Sequence, residues 1–234
     1  MPHSPQIRWL DNLLGLFYPN LCLACGRNLP PRQEGICVSC LFKLPRTNFH
    51  LEPENPFAGR FWGRVPLEAG AAFLYFAKGG KTQRLIHHLK YEGKQEVGVF
   101  LGKLYGLALR EAPGFREAAL ILPVPLHPRK LHRRGYNQSA LFAKGLSEAM
   151  KVPWLPNGLQ RTEYTATQTR KSRLERFENV EEAFIVPNPG RVKGQHVLLV
   201  DDVITTGATL EACALKILEV EGVKVSMATI AIAL

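Results

Sequence analysis

The sequence is short of acid. Twenty Asp and Glu stand against thirty Lys and Arg in 234 residues, a formal charge of +10 at pH 7. That imbalance points to anionic partners such as phosphates, nucleic acid or an acidic membrane surface. A merely basic surface is the alternative, because net charge bears on association and not on fold. A long apolar run is also missing. The one apolar N-terminal stretch, 7–17, is interrupted by Arg8, Asp11 and Asn12, and no small-residue cleavage site follows it. Neither a signal peptide nor a transmembrane span is expected, which makes the cytoplasm the default location. Cysteine is scarce as well. Five thiols in a reducing compartment read as metal ligands or core residues and not as a disulfide framework.

What is present is enough chain for one large domain, or one domain with a small appendage. Ile7, Leu10, Leu13, Leu14 and Phe17 fall at helical spacing and end before Pro19. This short amphipathic helix is expected to dock on the rest of the protein, with peripheral membrane contact as the alternative. Residues 46–68, rich in Pro, Gly and Arg, read as a linker that separates an N-terminal module, 1–45, from a second domain, 69–234. In that domain, strand patterns at 70–76, 119–126 and 224–233 alternate with helical spacing at 82–90, 96–109 and 139–150. The order implies an α/β fold with a largely parallel sheet flanked by helices. His87 and His88 are adjacent, so they point to different helix faces and are not expected to share a metal.

The cysteines are arranged. Cys22 and Cys25 form one C-x-x-C knuckle, Cys37 and Cys40 another, with a turn-rich segment between them. Four thiolates so spaced can close a tetrahedral zinc shell and leave no open position, which is a structural site. Gly26 suits the tight turn after the first knuckle. Redox-active dithiols are the alternative, although no thioredoxin-like pattern surrounds them. Cys213, inside a predicted helix, reads as core.

The most informative stretch is 197–209, an apolar strand at 197–200 that meets Asp201 and Asp202, then Val203, Ile204, Thr205, Thr206, Gly207, Ala208 and Thr209. Helical spacing resumes at Leu210. Gly207 lets the backbone approach a ligand, and the threonine hydroxyls lie beside the free amides of a helix's first turn, where a phosphate is favoured. The two carboxylates would repel phosphate, so they suit sugar hydroxyls or a metal-bound ligand. Together they describe a site for ribose 5-phosphate. A strand end with solvated acids and a capped helix is the plainer reading. No Gly-Lys-Ser/Thr follows the turn, which argues against a Walker loop.

A second strand-end loop, 127–134, crowds Arg129, Lys130, Arg133 and Arg134 around His127 and His132. It suits a pyrophosphate lying across from the phosphate cradle. Nucleic-acid binding is a compatible second use, for which Tyr136, Trp154, Tyr164 and Phe177 are candidate stacking partners, each with a core position as its alternative.

The stretch 197–209 resembles the PRPP-binding signature of type I phosphoribosyltransferases. With Pro-Val-Pro-Leu at 123–126, Arg-Arg-Gly-Tyr-Asn-Gln at 133–138, the paired knuckles and Arg161, Thr165, Gln168, Arg173, Arg176, Asn179 and Phe184, the chain is similar over nearly its whole length to the ComF family of competence-associated proteins. The resemblance implies a zinc-ribbon-like module and a phosphoribosyltransferase-like domain. It assigns Asp201 and Asp202 to the ribose hydroxyls of PRPP, held with Mg, and 204–209 to its 5-phosphate. The segment 165–176, including Gln168, Lys171, Arg173 and Arg176, becomes a mobile loop over the site, with a solvated charged loop as the alternative reading. The implied role is uptake of single-stranded DNA in natural transformation, beside other competence proteins such as a helicase or channel at the inner face of the membrane. Turnover of PRPP with a base or amine is the alternative function, for which no acceptor pocket is legible.

Overall fold

Apolar runs covered on both faces build the central sheet. The computed structural model describes residues 20–30, 35–162 and 184–233. In chain order these carry α1 (Val38–Phe42), β1 (Ala69–Tyr75), α2 (Lys81–Tyr91), α3 (Glu96–Leu109), β2 (Leu120–Pro123), α4 (Pro128–Arg134) and α5 (Gln138–Met150). The short antiparallel pair β3 (Gln160–Arg161) and β4 (Phe184–Ile185) follows, then β5 (His196–Ile204), α6 (Ala208–Leu218) and β6 (Lys224–Ile232). The four longer strands form one parallel sheet in the order β1-β6-β5-β2. Ala71, Leu74, Ile121, Val197–200 and Met227 are buried within it, as a parallel sheet covered on both faces requires.

Strand length positions the site. On β2, Pro123 pairs with Val200. Beyond that point β5 continues to Ile204 with only β6 beside it, Asp201 opposite Thr229 and Ile204 opposite Ile232. The strand expected to end at 200 therefore runs through both acids, because the ladder to β6 persists. The departure of β2 opens a crevice beside Asp201, at the carboxyl ends of the strands, where open α/β sheets bind ligands.

Two further features hold this edge. Helices α3 and α5 cross at contact distance through glycines, with Gly145 packed on Gly102 and the Val99 carbonyl. Residues 46–68, read from composition as a linker, are packed on the domain, with Phe49, Phe57 and Phe61 buried. The cause is Asn55, whose Nδ2 donates to the carbonyls of Phe49, Glu52 and Gly70 at 3.2, 2.7 and 2.9 Å. Its Oδ1 accepts from the amides of Phe57 and Ala58. One side chain thus satisfies a buried, aperiodic backbone. Among the described residues no helix is long and apolar enough to cross a membrane.

Candidate functional site

The two carboxylates are held from different sides. Ser139, at the start of α5, donates its hydroxyl to Asp201 Oδ1 at 2.7 Å, and the Asp202 amide donates to the same oxygen at 2.8 Å. Asn137 caps α5 by accepting from the Ser139 amide, and its Nδ2 ties that helix end to the Val124 carbonyl just past β2. Asp202 faces Lys90 at the end of α2, whose Nζ lies 2.9 Å from both of its oxygens. Burial first, and the Asp202 charge second, push Asp201 up to about 7 against the bonds from Ser139 and the Asp202 amide.

The basic stretch 127–134, expected as a loop, is the helix α4. His127 caps it, its Nδ1 accepting from the Arg129 amide at 3.2 Å; Pro128 opens the first turn, and Gly135 closes it at φ 77°. The difference partitions the cations. Lys130 and Arg134 sit one turn apart and line the crevice with Asp201 and Asp202. Arg133 instead lines an adjoining slot with Tyr91 and Tyr136, and Arg129 is exposed away from both. His127, Arg161, Lys90 and Ser139 complete the crevice wall. Lys90 and Ser139 are site residues that sequence reasoning missed. Neither lies in a repeated pattern, and only the Asn-Gln-Ser step before α5, an N-cap signal, could have marked Ser139.

The phosphate-cradle candidates form the turn between β5 and α6. Val203 and Ile204 belong to the strand, and the Ile204 side chain is buried. Thr205, Thr206, Ala208 and Thr209 are exposed, and Thr209 reaches the crevice wall. Thr206 Oγ1 accepts from the Ala208 amide at 3.4 Å, and Gly207, at φ 89°, starts the helix in the left-handed region. A Cβ there would meet the buried Phe61 ring at 3.1 Å, so residues 46–68 support the turn from below. The first-turn amides of α6 have no intrahelical acceptor and present positive ends to an anion. Gln168, Lys171, Arg173 and Arg176 lie outside the described residues, as do Tyr164, Phe177 and the stretch 7–17.

The four knuckle cysteines converge, their sulfurs all within 4.8 Å of one another. The amide of Cys37 donates to Cys22 Sγ at 3.3 Å, and that of Cys40 to Cys37 Sγ at 3.4 Å. Burial opposes ionisation of Cys22, but amide bonds outweigh it and hold the thiol down at about 7. Burial and the neighbouring sulfurs push Cys40 up to about 12. Such a set can hold a metal ion, which would replace the protons. Cys213 is buried on α6, as expected of a core residue. His87 and His88 both meet Glu92, at 2.9 and 2.7 Å.

Comparison with known proteins gives the family of the chain. The phosphoribosyl transferase domain family matches residues 137–233, which include Ser139, both acids and the α6 turn. The chain is 32% identical over 220 residues to DNA utilization protein YhgH of Escherichia coli O157:H7, covering 90% of this chain and 89% of the relative. It is 30% identical over 203 residues to Competence protein F of Haemophilus influenzae, covering 83% and 89%. Competence protein ComFC of Bacillus subtilis is 27% identical over 203 residues, covering 80% and 79%. By its relatives, its phosphoribosyl transferase domain and its four-cysteine cluster, the chain belongs to the ComF family of competence and DNA utilization proteins.

Proposed function

We propose that this protein binds PRPP with Mg at the carboxyl edge of the sheet and supports handling of single-stranded DNA in uptake or utilization. The observation that carries the reading is one crevice lined by Asp201, Asp202, Lys130, Arg134 and Thr209. Acids accept ribose hydroxyls, cations neutralise a pyrophosphate, and the turn 205–209 offers amides and hydroxyls to the 5-phosphate. The family names of the relatives support the DNA role. Calorimetric titration with Mg-PRPP should show saturable binding at about one site per chain, weakened about tenfold by Thr209→Ala, the loss of roughly one hydrogen bond to a charged group. Absence of saturable heat in the folded protein overturns the reading.

For the cysteine cluster we propose zinc, since four soft ligands at tetrahedral reach select it over harder cations. Metal analysis should find about one equivalent per chain, and loading the stripped protein should release protons, Cys40 among the donors because its thiol is pushed up to about 12. A folded, metal-free protein that takes up no zinc would reject the assignment.

A further inference from the structure

We propose that the slot between Tyr91 and the last turn of α4 holds one nucleotide of a single nucleic-acid strand, with its base on the Tyr91 ring and its phosphate on Arg133. The inference rests on the DNA-handling reading and locates the contact, which the stacking candidates chosen from sequence do not. Trp154 packs against the core and its backbone bridges to Ile121. Tyr136 is partly buried, its hydroxyl donating to the Leu89 carbonyl at 2.7 Å, where it pins the end of α2 and forms the floor of the slot.

Tyr91 differs from both. It is 63% exposed. The Arg134 guanidinium lies 5.5 Å from its ring centroid, and the His87 ring is tilted against it at 5.1 Å. Arg134 is fixed by donating to Gln138 at 2.7 Å, yet its Nε is buried with no partner. Arg133, exposed beside it, has no carboxylate partner among the described residues. At the far wall Gly93, at φ 71°, has open space where a Cβ would stand, so a ligand can come close to the backbone.

An exposed aromatic ring beside an arginine with no carboxylate partner is the chemistry that takes a stacked base and its phosphate. An acidic peptide would satisfy the arginines and leave the ring without a partner. The slot shares Lys90 and Arg134 with the acid crevice, so a strand seated here crosses the mouth of that crevice.

The test is fluorescence anisotropy with a labelled oligo-dT at two salt concentrations. Wild type should bind, Tyr91→Phe should bind equally, and Tyr91→Ala should bind about tenfold more weakly or worse, the loss of one stacked base. Arg133→Ala should weaken binding and lower the salt slope by about 0.7, one phosphate contact on a single strand. An unchanged melting temperature of Tyr91→Ala serves as the folding control. Should Tyr91→Ala bind the oligonucleotide as wild type does, the slot assignment is overturned while the DNA reading stands. If wild type binds Mg-PRPP but no oligonucleotide, the DNA reading fails and takes the slot with it. Displacement of the oligonucleotide by polyglutamate through the same Tyr91-dependent site would make the slot a peptide site and overturn the proposal.

Discussion

Gly145→Val should abolish folding, and Gly145→Ala should destabilise the protein by about 3 kcal/mol or more, lowering the melting temperature by roughly 6–12 °C for a chain of this size. Helix propensity alone predicts the opposite sign, since alanine is favoured over glycine by about 1 kcal/mol inside a helix. The sign reverses because a Cβ on Gly145 would run into the Val99 carbonyl and stand 2.9 Å from the Gly102 Cα. Those atoms are backbone and cannot rotate away. Helices α3 and α5 would have to part, loosening Leu101, Tyr105, Phe142 and Leu146, all buried in their contact region. Gly190→Ala is the control: its added methyl meets nothing within 4 Å, and its melting temperature should stay unchanged. Thermal denaturation followed by circular dichroism reads both. An α5 displaced in this way would also carry Asn137 and Ser139 off the ends of β2 and β5, so surviving protein should lose ligand binding in proportion.

What the sequence shows of this molecule divides along a physical line. Elements with one clear period were legible: α3 at Glu96–Leu109 falls where helical spacing places it, and β6 where the closing apolar run does. So were the cysteine cluster and the acids, because each motif is contiguous or nearly so. Helix α4 carried its signals in plain view, Pro128 at the start and Gly135 at the end, but the density of charge drew attention to a loop. The packing of 46–68 was hidden, since it depends on one asparagine making five hydrogen bonds and not on any periodicity. Lys90 lies 112 residues from Asp202 in the chain. Nothing in local pattern reports that meeting, which is set by where α2 ends against β5.

Replacing both Asp201 and Asp202 by alanine should reduce Mg-PRPP affinity at least a hundredfold, because each loses a charged acceptor for a ribose hydroxyl, worth about 1.5–3 kcal/mol. The single variant Asp201→Asn tests the role more sharply. With Asp201 pushed up to about 7 by burial and by the Asp202 charge, the free protein carries a proton there below neutrality. Ligand hydroxyls bond more strongly to an ionised acceptor, so affinity should rise as pH increases toward about 7 and level off beyond it, by up to tenfold per pH unit. Stability runs the other way. An acid whose native value lies above its ordinary 3.8 stabilises the native state fully below that value, and the contribution is lost as pH rises through about 7. Asp201→Asn removes this loss. The variant should therefore match wild type near pH 4 and exceed it near pH 8, by on the order of a few kcal/mol. Binding by the variant should be weaker and should lack the component of pH dependence that wild type adds to the ligand's own titration. Greater stability with weaker binding is the signature of a carboxylate kept for its ligand. A carboxylate whose charge is itself stabilised by the bonds from Ser139 and the Asp202 amide would lose stability near pH 8 on the same replacement, and denaturation at both pH values decides between them.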